Sequence, residues 1–155
     1  MIAGIGTDIA EVKRFEKWVQ NPEMIDRFLN KKELSSAKSL AAKCQHYAVR
    51  FAAKEAFSKA LGSGISGFSL KDVYITNNSE GKPLLNIEGA ALSLMKERLG
   101  ECEAFVSLSH EKEYAIAFVI LEKKVRQKAA YTGGRYGNNI KKRSTRKKGK
   151  YFVLV

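Results

Sequence analysis

The sequence is poor in cysteine and proline, with two residues of each among 155. Cys44 and Cys102 stand too far apart for a C-x-x-C pair, and two cysteines do not make up a structural zinc site. This scarcity excludes a secreted scaffold held together by disulfides. We therefore expect a reducing compartment, the cytoplasm.

The sequence also lacks a long apolar run. The longest, Tyr114–Leu121, has eight residues, whereas a helix that crosses a bilayer needs about 20. This run predicts a buried strand, and we expect no membrane span. The first residues, MIAGIGTDIAEVKRF, lack the basic segment and apolar core of a secretory signal.

Acidic residues are missing from the last part of the chain. The sequence has 28 Lys+Arg and 16 Asp+Glu, a formal net charge of +12. Residues 1–122 hold 16 basic and 16 acidic residues, whereas residues 123–155 hold 12 basic and no acidic ones. We predict one charge-balanced domain over 1–122 and a flexible basic tail over 123–155, which has too little apolar surface to order itself.

The tail raises an alternative function, binding to a polyanion such as nucleic acid or the ribosome. Residues 141–150 are mostly basic, and such a segment attracts polyanions with an affinity that falls steeply with salt. The sequence contains no helix-turn-helix, RNP or zinc-finger pattern, so we expect no specific nucleic-acid partner.

The apolar periodicity predicts an α+β domain, an antiparallel sheet with packed helices, because short turns join several of the strands. The expected elements are a strand Met1–Ile9, a helix Ala10–Val19, a helical turn Met24–Leu29, a short helix Lys32–Ala42, a long helix His46–Leu61, strands Leu70–Thr76 and Leu84–Ile87, a helix Gly89–Leu99 and a hairpin of Ala104–Ser109 with Tyr114–Leu121.

The first strand places Gly4, Gly6 and Asp8 on one face. A face without side chains admits either a ligand or a neighbouring backbone. A carboxylate that emerges there needs a cation or a metal as its partner if it is buried. The alternative for Asp8 is to cap the helix expected at Ala10.

Glu55 lies in the middle of the long alanine-rich helix. Two carboxylates from separate elements commonly hold Mg²⁺ together with waters and substrate phosphates, so Asp8 and Glu55 form a candidate metal site. The alternative for Glu55 is an ion pair with Lys59, four residues later. Arg50 and Lys54 also stand four residues apart, which predicts either a bound anion or a solvated face.

The segment Gly62-Ser63-Gly64 follows the long helix. Gly62 is a candidate left-handed cap, and the loop offers backbone N–H groups to an anion. An ordinary cap and turn is the alternative interpretation, since the loop follows a helix and lacks the ending of a P-loop.

Ser107 and Ser109 lie on one side of their strand, with His110 at its end. Two hydroxyls and an imidazole suit contacts to phosphate or ribose. A hydrolase triad has little support, because the sequence has no G-x-S-x-G elbow. No residue spaced as a catalytic or metal-binding partner accompanies His46, and we interpret it as a structural or surface residue.

Together these segments resemble the holo-acyl-carrier-protein synthase family, the small phosphopantetheinyl transferases. The resemblance runs from Met1 to about Glu122, and the central helix motif is its most specific part. The matching segments are Gly4-Ile5-Gly6-Thr7-Asp8-Ile9, Arg50-Phe51-Ala52-Ala53-Lys54-Glu55-Ala56-Phe57-Ser58-Lys59-Ala60-Leu61-Gly62-Ser63-Gly64-Ile65, Gly81-Lys82-Pro83 and Val106-Ser107-Leu108-Ser109-His110.

The resemblance implies an enzyme of fatty acid biosynthesis with a 4′-phosphopantetheinyl transferase-like fold. It would move 4′-phosphopantetheine from coenzyme A (CoA) to a serine of apo acyl carrier protein and release adenosine 3′,5′-bisphosphate. By the same resemblance Asp8 and Glu55 would ligate Mg²⁺, and Lys59 would contact the phosphate near the metal. The group that takes the serine proton, Glu55 or a metal-bound water, is left open.

The resemblance further implies how the substrates bind. Besides Lys59, the residues that would hold CoA are Arg50, Gly62, Ser63, Gly64 and His110. Arg14 and, as a weaker match, Arg27 would face the acidic carrier protein, with Lys17, Lys31 and Lys32 as neighbours. Members of the family form trimers with active sites between subunits, so we expect a homotrimer.

Overall fold

A computed structural model describes residues 1–124. The basic tail predicted for 123–155 lies outside the described residues except for its first two, so its role and the boundary at 122 stay predictions. The helices are α1 (Glu16–Gln20), α2 (Pro22–Phe28), α3 (Leu40–Leu61) and α4 (Gly89–Leu99), and the strands are β1 (Ile2–Glu11), β2 (Val73–Asn77), β3 (Pro83–Ile87), β4 (Cys102–His110) and β5 (Tyr114–Lys123).

Two antiparallel sheets carry the strands. One has three strands in the order β1-β5-β4, and the other pairs β2 with β3. Alternation divides the three-stranded sheet into two faces: Asp8, Ala117 and Leu108 lie opposite one another on the face toward the core. Helices packed on antiparallel sheets confirm the predicted α+β class.

The long helix α3 forms the centre of the core. Its N-terminus is capped by Ser39, whose hydroxyl accepts a hydrogen bond from the Ala42 N–H, and it ends at Gly62 with φ 72°. The left-handed cap predicted for Gly62 is therefore confirmed. Small residues such as Ala52 and Ala56 are fully buried, which lets the sheet approach the helix closely.

The contact between β1 and α3 is a contact between backbones. A Cβ added at Gly6 would lie 1.9 Å from the Ala56 carbonyl oxygen, and one added at Gly4 would lie 2.0 Å from that of Ala60. Of the two alternatives for the glycine face, a neighbouring backbone is correct. This close approach places Asp8, the next residue on that face, beside α3.

The helix expected over Ala10–Val19 begins later than predicted. Strand β1 continues to Glu11, because Ala10 and Glu11 still pair with β5, and a 3-10 turn at Val12–Phe15 leads into α1. The ladder hydrogen bonds outweigh the local helical periodicity. Asp8 therefore lies inside a strand, and the alternative in which it caps a helix is wrong.

Two further boundaries differ. The helix expected over Lys32–Ala42 is a 3-10 turn at Lys31–Glu33, closed by a capping box between Asn30 and Glu33. Its last residues belong to α3, which begins at Leu40 after the Ser39 cap and thus before the predicted start at His46. The strand expected over Leu70–Thr76 starts with a 3-10 turn, because the Ser69 hydroxyl accepts a hydrogen bond from the Lys71 N–H. Both differences come from local capping by polar side chains.

No helix within residues 1–124 has the length and apolar character needed to cross a membrane. The thiols of Cys44 and Cys102 are free and buried, as expected for a chain without a disulfide framework.

Candidate active site

Asp8 and Lys59 meet where β1 crosses α3. The Lys59 ammonium donates to Asp8 Oδ1 at 2.9 Å and to the Thr7 carbonyl at 3.0 Å. The Asp8 side chain is largely buried, whereas that of Lys59 is half exposed. A cation therefore lies at the Asp8 carboxylate, in a position open to solvent.

Glu55 lies one helical turn before Lys59 and close to Asp8. Burial raises the pKa of the Glu55 carboxyl, and the negative charge of Asp8 raises it further, while Lys59 and Arg14 act in the opposite direction. Lys59 donates to Asp8 rather than to Glu55, so the helical ion pair considered as the alternative for Glu55 is not formed. The two carboxylates repel each other, and a cation between them would relieve that repulsion.

The donor set suits Mg²⁺ only in part. Among the described residues there is no group of three or more His, Cys, Asp or Glu side chains that could hold a metal ion. Mg²⁺ is commonly bound by one or two carboxylates, with waters and substrate phosphates supplying the other oxygens. Asp8 and Glu55 fit this arrangement, and the exposed Lys59 leaves the site accessible to an anionic substrate.

Lys54 does not belong to this site. Its ammonium donates to Glu33 Oε2 at 2.6 Å, to the Leu70 carbonyl at 3.1 Å and to the Val73 carbonyl. The Lys54 and Glu33 side chains are both inaccessible to solvent. The sequence predicts a bound anion or a solvated face near Arg50 and Lys54. The structure shows that the anion beside Lys54 is the carboxylate of Glu33.

Glu33 is a buried partner that the sequence patterns did not single out. Its only sequence signal is the spacing of Asn30 and Glu33, which is typical of a capping box. Glu33 Oε2 accepts from the Asn30 N–H at 3.0 Å, and Glu33 Oε1 accepts from the Ile75 N–H at 2.9 Å. The imidazole Nε2 of His46 lies 2.7 Å from the Glu33 carbonyl oxygen, which agrees with a structural role for His46.

Arg50 lies apart from Asp8, Glu55 and Lys59. It precedes Glu55 by five residues, which places the two side chains about 140° apart around α3. The Arg50 guanidinium donates to the His46 carbonyl at 3.2 Å, and burial lowers its pKa.

The loop after α3 is open. Gly62 and Gly64 both have positive φ, and a Cβ added at either would meet nothing within 4 Å. The Ser63 hydroxyl donates to the Gly64 carbonyl at 2.8 Å. The cap itself uses two of the loop N–H groups, because Gly62 N–H donates to the Lys59 carbonyl at 3.1 Å and Ser63 N–H to the Ser58 carbonyl at 3.3 Å. These two groups are therefore not free to bind an anion as predicted.

His110 is separated from Asp8 by the width of the sheet. It ends β4, and β5 lies between β4 and β1, so that about 10 Å separates the two outer strands. Ser107 and Ser109 lie on the sheet face that points away from α3. Within one chain, Arg50 and His110 therefore both lie apart from the group formed by Asp8, Glu55 and Lys59.

A family model described as the 4′-phosphopantetheinyl transferase superfamily matches residues 4–119. The chain belongs to this superfamily. The family predicted from the sequence, and with it the prediction of an enzyme, is confirmed.

Several relatives of this transferase are holo-[acyl-carrier-protein] synthases. The protein of that name from Treponema denticola is 47% identical over 123 residues, which cover 79% of this chain and 99% of the relative. The one from a Geobacter species is 45% identical over 127 residues, covering 79% and 100%.

Solved structures of such synthases share the fold. The enzyme from Bacillus anthracis, in complex with CoA (3′,5′-ADP), is 37% identical and has a TM-score of 0.67, with 80% of this chain and 99% of that chain covered. The Helicobacter pylori enzyme, in complex with coenzyme A, is 32% identical with a TM-score of 0.63, covering 76% and 99%.

The predicted docking residues of the transferase lie around an aromatic cluster. Trp18 packs on Phe28 and Phe51 with ring centroids 4.9 and 5.2 Å apart, which ties α1 and α2 to α3. Arg14 and Arg27 are exposed, and the Arg27 guanidinium lies 5.2 Å from the Phe28 ring centroid.

The three lysines predicted as neighbours of the docking residues differ in their contacts. Lys17 and Lys31 are exposed. Lys32, by contrast, donates to the Tyr74 hydroxyl at 2.8 Å and lies over its ring. Lys32 is therefore engaged within the protein, and Arg14 is the one member of this group that lowers the pKa of the Glu55 carboxyl.

Proposed function

We propose that this transferase moves 4′-phosphopantetheine from CoA to a serine of apo acyl carrier protein and releases adenosine 3′,5′-bisphosphate, in fatty acid biosynthesis. The observation that carries the proposal is the cluster at the crossing of β1 and α3. There the Lys59 ammonium lies 2.9 Å from Asp8 Oδ1, and the charges of Asp8 and Lys59 both act on the pKa of the Glu55 carboxyl. Free thiols at both cysteines support a cytoplasmic location.

In this reaction the serine hydroxyl oxygen bonds to the phosphorus that carries pantetheine. The bond from that phosphorus to the bridging oxygen of the pyrophosphate breaks, and its electrons leave with adenosine 3′,5′-bisphosphate. The half-exposed Lys59 ammonium stabilises negative charge on the phosphoryl oxygens. The serine proton needs a base, and Glu55, whose carboxyl pKa is raised by burial and by Asp8, is this chain's candidate for that role.

Asp8 and Glu55 would hold the Mg²⁺ that the family implies. Mg²⁺ supplies charge neutralisation at the pyrophosphate when it is bound. The repulsion between the two carboxylates and the openness of the site support this assignment.

The reaction is tested by following nucleotide release by chromatography. Adenosine 3′,5′-bisphosphate should appear only when CoA, Mg²⁺ and apo carrier protein are all present. Release from CoA and Mg²⁺ alone, at the same rate, would show hydrolysis of CoA and would contradict transfer to a protein.

The active enzyme is proposed to be a homotrimer with shared sites. The sheet face that points away from α3 carries exposed large apolar side chains on all three strands. These form the outer face, which consists of Ile5, Ile9, Phe105, Tyr114, Ile116 and Phe118. Exposed apolar patches of this kind mark protein interfaces.

A trimer also explains why one chain does not assemble the whole predicted site. His110 borders a cavity of about 260 Å³ that is lined by Ile9 and Ile116 of the outer face. A second subunit seated on this face would place residues of its own beside His110. CoA would then bind across the interface.

A charge introduced on the outer face should dissociate the assembly. We expect Phe118→Glu to sediment as a monomer and to lose transfer activity, because the interface would bury an unpaired carboxylate. Leu34→Glu is the matched control, since Leu34 is also an exposed apolar residue but lies outside this face. A Phe118→Glu variant that still sediments as a trimer would refute the assigned interface.

The carrier protein is proposed to dock on Arg14 and Arg27. Replacing Arg14 by glutamate places like charge against an acidic partner, so we expect the KM for carrier protein to rise about tenfold or more while the KM for CoA stays nearly constant. Steady-state kinetics with each substrate varied in turn measures both constants. Lys13→Glu, the same charge change one residue earlier, should leave both within about twofold. If Arg14→Glu and Lys13→Glu change the KM for carrier protein equally, the docking surface lies elsewhere.

A further inference from the structure

The helix α3 carries Glu55, Lys59 and Arg50, and its two sides are held in different ways. On the side of β1, Gly4 and Gly6 contact the helix backbone, and the Lys59 ammonium links the helix to Asp8 and to the Thr7 carbonyl. That link is half exposed and lies near the C-terminal end of the helix. A second directional restraint, buried and on another side of α3, would fix the rotation of the helix more firmly.

Lys54 supplies that restraint. Its ammonium has three N–H donors, and all three are used: on Glu33, on Leu70 at the start of a 3-10 turn, and on Val73 of β2. Hydrogen bonds are directional, so three acceptors in separate segments define one orientation of the side chain.

Glu33 is itself held on both carboxylate oxygens. The Asn30 N–H donates to Oε2 and the Ile75 N–H donates to Oε1, and the Asn30 side chain donates to the Lys71 carbonyl at 3.0 Å. The acceptor of the Lys54 hydrogen bond is therefore fixed by neighbours on two sides. This makes the pair a rigid connection between α3 and the segment around β2.

A buried ion pair of this kind is a weak means of stabilisation. Apolar residues of similar volume often stabilise a core equally well, because both charges lose their hydration. The feature that apolar residues lack is directionality. The buried pair thus contributes a defined geometry more than it contributes stability.

The geometry matters because Glu55 is the next residue after Lys54. A rotation of α3 by about 20° would move a side chain about 6 Å from the helix axis by about 2 Å. A displacement of about 1 Å already costs about 10²-fold in rate where reacting groups must be aligned. The Glu55 carboxylate would then no longer face Asp8.

We propose that Lys54 and Glu33 form a positioning pair that fixes the rotation of α3 and thereby holds Glu55 opposite Asp8; this rests on the proposed function of that site. The pair touches neither substrate nor reacting atoms. It acts through Glu55.

The test uses the full chain and the double variant Lys54→Met/Glu33→Gln. This variant removes both charges and leaves the glutamine oxygen to accept from the Ile75 N–H. We expect it to fold, judged by circular dichroism, while kcat falls about 10²-fold. Calorimetry of CoA with Mg²⁺ should show an affinity about 10- to 100-fold weaker, as for other residues that orient metal ligands.

Met95→Ala is the matched control for lost stability. Met95 is buried on α4 and takes no part in the Lys54 and Glu33 hydrogen bonds. At a temperature where it is folded, it should keep the kcat and the Mg²⁺-dependent CoA affinity of the wild type. Equal losses in Met95→Ala and the double variant would show that activity follows stability, and would overturn the positioning role.

Other outcomes are equally decisive. A folded double variant with unchanged kcat and CoA affinity overturns the proposal. If the double variant is unfolded, the single variant Glu33→Gln is measured in the same way, and unfolding of this variant too assigns the pair to folding and overturns positioning. A wild-type chain that transfers nothing refutes the proposed function instead, so the two failures are distinguishable.

Discussion

Glu55→Gln is expected to reduce transfer by at least about 10³-fold, the scale seen when one strong electrostatic group is removed from an active site. The substitution keeps the shape of the side chain but removes one of the two charges that would hold Mg²⁺. The melting temperature should be unchanged or higher, because the Glu55 carboxylate is disfavoured in the fold by burial and by the charge of Asp8. Turnover and thermal melts on the same preparation measure both effects.

Asp8→Ala should lose activity to a similar extent, whereas Glu97→Gln is the matched control. Glu97 is exposed on α4, so its substitution should leave turnover within about twofold of the wild type. Near-normal turnover in Glu55→Gln would contradict the assignment of Glu55 to metal and proton transfer. A lower melting temperature with lost turnover would point to a structural role.

Gly6→Ala is expected to give the largest loss of stability. The new Cβ would lie 1.9 Å from the Ala56 carbonyl oxygen and 2.6 Å from the Ala60 nitrogen, and both are backbone atoms of α3. The strand must move away from the helix, which costs about 3 kcal/mol or more and lowers the melting temperature by roughly 10 °C. The same movement separates Asp8 from Lys59, so activity should fall as well.

Thr7→Ala is the control for Gly6→Ala. Thr7 is the next residue of β1 and its side chain points away from α3, onto the outer face. Its substitution removes atoms and creates no clash with the helix, so the melting temperature should change by a few degrees at most. A Gly6→Ala variant as stable and active as the wild type would show that the close approach of β1 and α3 is not required.

The sequence predicts the parts of the fold that have strong local signals. The alanine-rich helix with Gly62 as its left-handed cap is one, and the hairpin of β4 and β5 is another. Both features depend on residues near one another in the chain. The glycines of β1 indicate a face without side chains, but the sequence leaves a ligand and a neighbouring backbone as alternatives for what fills it.

The remaining features depend on contacts that local patterns do not encode. The end of β1 is set by pairing with β5, which overrides the helical periodicity after Ala10. The partner of Lys54 is Glu33, 21 residues earlier, and nothing in the spacing of Arg50 and Lys54 indicates it. The separation of His110 from Asp8 follows from the strand order, which places β5 between them.

The central claim, transfer of phosphopantetheine to a carrier protein, is tested most directly by intact-mass spectrometry. Purified chain is incubated with CoA, Mg²⁺ and an apo acyl carrier protein, with Glu55→Gln and a carrier protein lacking the acceptor serine as parallel controls. We predict that the carrier protein gains the mass of one 4′-phosphopantetheine with the wild-type enzyme and gains nothing in either control. An unmodified carrier protein after prolonged incubation with folded wild-type enzyme would contradict the account.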